Sequence, residues 1–259
     1  GCQSDYGVSP DAGASDGGSS AEDTPCGSPV LPGYADDVDD ECLGEFGDFN
    51  PVMEFFRGTW STSPDAKNVM MTPTVGSLSD DNGDGRIDEE DTPDIVLITT
   101  SGLEYGVLRA ISGDGGTELF SVSDQALQWQ GGTALGDIDN DGIQEIVAPT
   151  GNQLLAFEHT GELKWTSPPI SDHMVGSADH PAIADLDGDG EVEIIVGSAI
   201  VNGSDGSVRA RGEHASSRGG ASGSTAFAAD LDGDGQQEVI TGSAVFNIDG
   251  ETLWYSGLE

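Results

Sequence analysis

Carboxylates recur along this sequence at a spacing that suits the binding of a divalent cation. In ADLDGDGEVEIIVGS, residues 184–198, three aspartates alternate along a short loop, a glycine follows, and a glutamate closes the motif D-x-D-x-D-G-x-x-E. Alternate side chains of a tight loop converge on one point, where unpaired carboxylates repel one another. Calcium removes that repulsion, because it accepts about six to eight oxygen ligands at flexible geometry. The motif therefore predicts a calcium site in the loop between two strands.

Three copies of the motif predict three equivalent sites, each with carboxylates at positions 1, 3, 5 and 9 and a main-chain carbonyl at position 7. Glycine at position 6 permits the sharp turn that directs this carbonyl at the ion. The predicted ligands are Asp137, Asp139, Asp141, the Ile143 carbonyl and Glu145; Asp185, Asp187, Asp189, the Glu191 carbonyl and Glu193; and Asp230, Asp232, Asp234, the Gln236 carbonyl and Glu238. An apolar strand follows each loop, so calcium would fix the corner between two strands of one repeat.

An earlier stretch, DDNGDGRIDEED at residues 80–91, is similar to the calcium loop of an EF-hand. Its predicted ligands are Asp80, Asn82, Asp84, the Arg86 carbonyl, Asp88 and Asp91. Aspartate replaces the usual glutamate at the twelfth position, and no helix is evident on either side. We therefore predict a longer calcium loop inserted into a strand-rich repeat, and about four calcium ions in all. The alternative at every copy is a solvated acidic turn.

Acidic residues dominate the composition, with 48 Asp and Glu against 8 Lys and Arg and a formal net charge of −40. Nucleic acid is not expected as a partner, since phosphate contacts need clustered basic side chains. No stretch reaches the roughly 18 apolar residues of a membrane-spanning helix. The charge fits cation binding, a solvated acidic surface suited to saline surroundings, or both.

The acids that close the motifs recur at a regular interval, which defines the architecture. They are Asp94, Glu145, Glu193 and Glu238, spaced 51, 48 and 45 residues apart. Aromatic residues after a turn, at Phe120, Trp165 and Trp254, support this period, with Ala210 in their place in the third repeat. Four short strand candidates in about 45 residues are typical of a β-propeller blade. We predict an all-β fold with about four blades over residues 69–259, as part of a larger propeller or as a small ring; a β-sandwich is the alternative.

The segments DLDGDGEVEIIVG and DLDGDGQQEVITG resemble FG-GAP/VCBS repeats, the calcium-loop blades of integrin α-chains and of many bacterial surface proteins. The resemblance covers about residues 69–259 and is clearest over 131–259, although the literal FG-GAP letters are poorly kept. It implies that the loop acids bind calcium and that the blades form a propeller, commonly of seven. It also implies a function in adhesion or in binding an extracellular protein or polysaccharide.

The beginning of the chain predicts a tether. Residues 1–25 have few large apolar groups, which indicates disorder, and residues 26–68 are transitional. Cys2 before this tether resembles the processing site of a bacterial lipoprotein, where the cysteine receives lipid. In the oxidising compartment that this implies, Cys26 and Cys42 would form a disulfide; three free thiols are the alternative. We expect a lipoprotein at the bacterial cell surface or outer membrane, or a secreted protein.

Common catalytic motifs are not found, since the sequence contains neither an HExxH zinc motif nor a P-loop. The four histidines are scattered, and we interpret them as surface or packing residues: His159, His173, His180 and His214. The chain is therefore expected to act by binding and not as an enzyme. The alternatives are a calcium-dependent polysaccharide lyase, which would need basic, histidine or tyrosine side chains clustered on one rim, and a calcium-stiffened structural spacer.

Overall fold

The computed structural model describes residues 52–102, 105–170, 178–213 and 225–257. These residues form strands, turns and irregular segments. They contain no helix, and so none that is long and apolar enough to cross a membrane. The predicted tether and several residues singled out in the sequence lie outside the described residues: Cys2, Cys26, Cys42, His173 and His214.

The strands form four antiparallel sheets, each from one stretch of chain, which we number blades 1 to 4 in chain order. Blade 1 contains β1 (Asn68–Val69), β2 (Thr74–Gly76), β3 (Asp94–Thr100), β4 (Gly106–Ile111) and β5 (Glu118–Leu127); blade 2 contains β6 (Ala134–Gly136), β7 (Glu145–Pro149), β8 (Leu154–Phe157) and β9 (Leu163–Thr166); blade 3 contains β10 (Ala182–Ala184), β11 (Glu193–Val196), β12 (Ala199–Asn202) and β13 (Val208–Arg211); blade 4 contains β14 (Phe227–Ala229), β15 (Glu238–Ile240), β16 (Ala244–Phe246) and β17 (Thr252–Tyr255). In blade 1, β1 and β2 pair with the two ends of β3 and together replace a single first strand. The predicted all-β fold of repeated four-stranded blades is confirmed.

Consecutive blades pack against each other through three hydrophobic clusters. The clusters join blades 1 and 2, blades 2 and 3, and blades 3 and 4. Both faces of a middle strand are therefore covered, and β7 and β11 are buried at every position. This explains why these strands are continuously apolar after their first residue, whereas a strand with one face in water alternates. Among the described residues, no such cluster joins blade 4 to blade 1.

The repeated aromatic residue packs beneath a glycine of the next blade. A Cβ added at Gly161, whose φ is 86°, would lie 2.5 Å from the Phe120 ring, and one at Gly206, whose φ is 73°, would lie 2.5 Å from the Trp165 ring. Only glycine combines a positive φ with such a close approach. Each contact joins the fourth strand of one blade to a hairpin turn of the next, which gives the aromatic residues their period.

A buried arginine holds the segment before blade 1 against that blade. Arg109 on β4 is fully buried and donates hydrogen bonds to the carbonyls of Thr62, Ser63 and Ala66 at 3.0, 3.1 and 3.1 Å. Its guanidinium carbon lies 4.3 Å from the centroid of the Trp60 ring. Burial lowers the pKa of Arg109 to about 10. The hydrogen bonds offset the cost of burying this charge and fix the path of the chain into blade 1.

Candidate metal centres

The three motif copies lie at the same place in blades 2, 3 and 4. We call residues 137–145 loop 2, residues 185–193 loop 3 and residues 230–238 loop 4; residues 80–91 are loop 1. Loops 2, 3 and 4 each connect the first strand of a blade to the second, because the residue before the loop pairs with the closing acid: Gly136 with Glu145, Ala184 with Glu193, and Ala229 with Glu238. The predicted position between strands 1 and 2 is therefore the observed one.

All four loops share one backbone conformation. Positions 4 and 6 have positive φ in each: Gly83 and Gly85, Asn140 and Gly142, Gly188 and Gly190, Gly233 and Gly235. The aspartate at position 1 accepts a hydrogen bond from the N–H at position 6, at 2.9 to 3.1 Å. The acid at position 5 accepts one from the N–H at position 7, at 2.8 to 2.9 Å. The backbone of each loop thus fixes the carboxylates at positions 1 and 5.

Loops 2, 3 and 4 each bring three carboxylates close enough to share one cation. The groups are Asp137, Asp139 and Glu145; Asp185, Asp187 and Glu193; and Asp230, Asp232 and Asp234, and the candidate ligand oxygens of each group lie within 4.8 Å of one another. The other carboxylates predicted as ligands of these loops lie outside the groups: Asp141, Asp189 and Glu238. Three candidate metal centres therefore occupy equivalent corners of consecutive blades.

The closing glutamate of loops 2 and 3 is buried, and one of its oxygens is committed to the backbone. Glu145 Oε2 accepts a hydrogen bond from the Ile138 N–H at 2.9 Å, and Glu193 Oε2 accepts one from the Leu186 N–H at 3.0 Å. Burial raises the pKa of Glu145 to about 7 and also raises the pKa of Glu193. A buried carboxylate is costly to ionise unless a cation compensates it. The second oxygen of each glutamate is therefore the one available to a cation.

Several buried oxygens at these centres have no hydrogen-bond donor. They are Asp139 Oδ1 and Glu145 Oε1 in loop 2 and Asp187 Oδ1 in loop 3. An unsatisfied buried acceptor normally destabilises a fold, and a bound cation would remove that cost. The ligand set consists of oxygen atoms alone, which suits calcium or magnesium and not zinc. The residues present thus fit a hard divalent cation, which would neutralise the carboxylates and tie strand 1 to strand 2.

Lys164 on β9 contacts loop 2, although the sequence analysis did not include it in the site. Its Nζ lies 2.6 Å from Asp139 Oδ2, 2.9 Å from Glu158 Oε1 and 3.5 Å from Glu145 Oε1. Burial alone would lower the pKa of Lys164, but its hydrogen bonds to Asp139 and Glu158 raise the pKa above the usual value. The ammonium is therefore a permanent positive charge beside loop 2.

Arg209 on β13 makes the same kind of contact with loop 3. Its guanidinium lies 2.7 Å from Asp187 Oδ2 and 2.5 Å from Glu193 Oε1. Like Lys164, it thus contacts the acids at positions 3 and 9 of the loop. The sequence held a signal for both, because each basic residue directly precedes the position of the repeated aromatic, in GELKW and GSVRA.

Loop 1 lies in a longer connection than the other loops. Eighteen positions separate Gly76 from its strand partner Asp94, twice the number in the other blades. Ser77 takes the place of the position-1 aspartate, and Asp94 takes the place of the closing glutamate. Asp94 Oδ2 accepts hydrogen bonds from the Leu78 N–H at 2.9 Å and from Ser79 Oγ at 3.0 Å. The corner of blade 1 is therefore held by hydrogen bonds, and loop 1 is an insertion within it.

The acids of loop 1 differ from those of loops 2 to 4. Asp91 is buried, and its carboxylate accepts three backbone N–H bonds, one of them from Asp88 at 2.9 Å. Arg86 lies 2.8 Å from Asp84 and 3.4 Å from Asp88. In the described part of the chain, loop 1 forms no three-carboxylate group of the kind found in the other loops. A cation site that includes Asp80 in loop 1 stays a prediction.

Neighbouring loops contact one another. Asn140 Nδ2 in loop 2 donates to the Gly190 carbonyl in loop 3 at 2.9 Å, and Gln237 Nε2 in loop 4 donates to the Asp185 carbonyl at 2.8 Å. Loops 1 and 2 line a common cleft. Asn140 thus joins loop 2 to loop 3, and Gln237, whose backbone N–H also donates to the Leu186 carbonyl at 2.7 Å, joins loop 4 to loop 3.

Comparison with known families identifies the segment around loops 2 and 3. Residues 137–196 match the FG-GAP-like repeat family. This chain contains an FG-GAP-like repeat. The matched segment begins at Asp137 of loop 2 and ends at Val196 of β11, so it contains two of the three candidate metal centres. The resemblance noted from the sequence is confirmed for these residues.

Three solved structures resemble this chain to different degrees. The V. cholerae biofilm matrix protein Bap1 is 31% identical, with a TM-score of 0.68 over 79% of this chain and 33% of Bap1. The chain thus spans about a third of the length of that protein. Rhamnogalacturonan lyase YesW is 16% identical (TM-score 0.47, 71% of this chain and 30% of that chain), and the Bacillus licheniformis rhamnogalacturonan lyase PL11 is 17% identical (TM-score 0.46, 71% and 30%). These two TM-scores are too low to support an inference about function. Comparison with curated proteins gives no match.

Proposed function

We propose that this chain is a calcium-binding repeat protein of the cell surface or extracellular space that acts by adhesion or ligand binding. The observation that carries the proposal is the recurrence of a three-carboxylate group at the same corner of three consecutive blades. The acids are at positions 1, 3 and 9 in loops 2 and 3 and at positions 1, 3 and 5 in loop 4. Acidic residues on a surface are usually scattered, whereas the acids of these three loops lie in loops of similar backbone conformation at the same place in each blade. Bound calcium would remove the repulsion between the carboxylates and make each corner rigid.

Calcium fits these loops better than magnesium does. Magnesium demands near-ideal octahedral geometry and keeps several of its waters, whereas calcium accepts many protein oxygens at variable geometry. Loops 2, 3 and 4 each offer carboxylates at positions 1, 3 and 5 and a carbonyl at position 7 within one tight turn, and loop 1 has the Asn82 amide oxygen at position 3. Extracellular modules bind calcium with dissociation constants of about 10⁻⁴ to 10⁻³ M. We propose about four ions per chain, one at each loop.

The similarity to Bap1 supports the proposed location and mode of action. Bap1 is a biofilm matrix protein, and this chain aligns with a third of it at 31% identity. We propose that this chain likewise lies outside the cell and binds an extracellular protein or polysaccharide without chemical turnover. Loops 1, 2 and 3 each hold a basic side chain that is ion-paired with a loop acid, from Arg86, Lys164 and Arg209.

The anchor and the disulfide remain part of the proposal. Lipid attached at Cys2 would hold the protein to a membrane, and a Cys26–Cys42 bond would stabilise the segment before the blades. Mass spectrometry of the native protein tests both. A diacylated or triacylated Cys2 and a linked Cys26–Cys42 peptide are expected, while an unmodified Cys2 would remove the anchor.

A binding screen tests the function itself. The chain is applied to arrays of glycans and of extracellular proteins, once in millimolar calcium and once in chelator. We expect ligand binding in calcium that is lost in chelator, and lost in a variant with Asp137, Asp185 and Asp230 changed to Ala. Asp249→Ala is the matched control, because this exposed acid lies outside the loops. Ligand binding that persists unchanged in chelator would contradict the proposed role of calcium.

A further inference from the structure

Every blade carries a β-bulge at the same place in its fourth strand. The pairing between the third and fourth strands skips one residue in each blade: Leu119, Lys164, Arg209 and Leu253. These positions are 45, 45 and 44 residues apart. A bulge turns a side chain away from the direction that regular pairing would give it. In blades 2 and 3 the bulged residue is basic, and it contacts the loop of its own blade.

The two basic residues contact equivalent acids. Lys164 contacts the acids at positions 3 and 9 of loop 2, and Arg209 contacts the acids at positions 3 and 9 of loop 3. Only 8 of the 259 residues are basic, so placing two of them at one position of the repeat is not a by-product of composition. In loop 3 the guanidinium lies on Glu193 Oε1, the oxygen that remains after Oε2 has accepted the Leu186 N–H.

Blade 4 has no basic residue at its bulge. Leu253 lies at the bulge, and 56% of its surface is exposed. Within residues 225–257 and the other described ranges, no ion pair joins a loop 4 carboxylate to a basic side chain. Loop 4 therefore has the same motif as loop 3 without its positive charge.

We infer that Lys164 and Arg209 are built-in counter-cations that set the calcium affinity of loops 2 and 3. The inference rests on the proposed calcium binding and adds that single residues regulate its affinity. The basic group lies on oxygens that the ion needs, so calcium must displace it or bind beside its charge, and either cost weakens binding. The same group partly neutralises the carboxylates when calcium is absent. Loop 4 is then the tightest calcium site of the three and the one whose corner depends most on the ion.

Variants at the bulge test this inference in the full chain. Lys164→Met and Arg209→Met remove the charge and keep an apolar side chain of similar length, and Leu253→Lys introduces a charge at the equivalent position. Lys67→Met is the matched control, since Lys67 is exposed and lies outside the loops. Calcium titrations by calorimetry give the affinities, and thermal melts in chelator give the stability of the metal-free protein.

Removing the charge is expected to tighten one calcium site by about tenfold in each Met variant, because a unit charge within a few ångströms of a divalent ion changes its binding by about that much. Leu253→Lys is expected to weaken the tightest site by about tenfold. In chelator, the melting temperature falls in Lys164→Met and Arg209→Met and does not fall in Leu253→Lys. Lys67→Met changes neither quantity.

The two possible failures are distinguishable. If the unmodified chain binds no calcium, the proposed function and this inference both fail. If it binds calcium and the three bulge variants bind it as the Lys67→Met control does, the inference alone is overturned.

Discussion

Loop 3 and loop 4 begin with the same six residues, DLDGDG, yet they lie in different electrostatic surroundings. Arg209 contacts loop 3 from the bulge of blade 3, whereas Leu253 stands at that position in blade 4. The motif thus determines the backbone of the loop, while Arg209, 16 positions after the closing Glu193, determines the charge beside it. Two identical motifs in one protein therefore need not bind calcium equally well.

The largest expected effect concerns the pH dependence of loop 2 without calcium. Burial raises the pKa of Glu145 from 4.5 in the unfolded chain to about 7 in the folded one. The folded state then binds more protons than the unfolded state between these values, so the free energy of unfolding falls as pH rises from about 4.5 to 7. The loss is on the order of 3 kcal/mol.

Urea unfolding in chelator across this pH range measures that loss. Glu145→Gln cannot ionise, and its stability should change less over the same range. Saturating calcium should also flatten the profile of the unmodified chain, because the ion stabilises the carboxylate. Parallel profiles for the unmodified chain and Glu145→Gln in chelator would contradict the assignment.

The next effect separates the calcium-dependent stability of loops 3 and 4. Asp232→Ala should abolish binding at loop 4 and remove about 2.7 kcal/mol of stabilisation at a calcium concentration 100-fold above the dissociation constant. Asp187→Ala should remove less, because loop 3 binds calcium more weakly beside Arg209. Urea unfolding with and without calcium gives both values. Equal losses in the two variants would show that calcium stabilises loops 3 and 4 equally.

Without calcium, removal of the closing glutamate should destabilise the fold more in loop 3 than in loop 4. Glu193→Ala leaves the Leu186 N–H without its acceptor and Arg209 with Asp187 as its remaining ion-pair partner, which should cost about 2 kcal/mol. Glu238→Ala removes only the acceptor of the Leu231 N–H, at 2.8 Å, and should cost about 1 kcal/mol. Chemical unfolding in chelator compares the two variants. A larger cost for Glu238→Ala would reverse the comparison.

The smallest effect concerns the connection between loops. Asn140 has a φ of 62°, in the region that favours glycine, and its side chain donates to the Gly190 carbonyl. Asn140→Gly keeps the backbone conformation and removes the hydrogen bond, so the net cost should be only about 0.5 kcal/mol. Calorimetric titration should nevertheless show weaker coupling between the calcium sites of loops 2 and 3. An unchanged isotherm would show that the bond carries no coupling.

The sequence predicted the loops and the blades because both are encoded locally. A motif of nine residues fixes each loop, and the interval between closing acids fixes the repeat. Lys164 and Arg209 were missed because their contact depends on a bulge, and a bulge appears only when the third and fourth strands are paired. The repeated aromatic position directly follows each of them in the sequence, but its spacing does not show which way the preceding side chain points.

Loop 1 shows a second limit of sequence reasoning. The similarity to an EF-hand loop located residues 80–91, and the repeat interval located Asp94, but the two observations could not be joined. Only the pairing of Gly76 with Asp94 shows that loop 1 is inserted into a corner that already has its own closing acid. The carboxylate groups of loops 2 and 3 likewise depend on strand register, which brings the closing glutamate back to the start of the loop.

Calorimetric titration of the metal-free chain with calcium at low ionic strength decides whether loops 2, 3 and 4 are calcium sites. We expect at least three calcium ions to bind per chain, at loops 2, 3 and 4, with dissociation constants at or below about 10⁻³ M. One site should be tighter than the others and should be lost in Asp232→Ala. A chain that takes up no calcium at millimolar concentration would show that the loops are only acidic turns, which would contradict the proposed calcium binding.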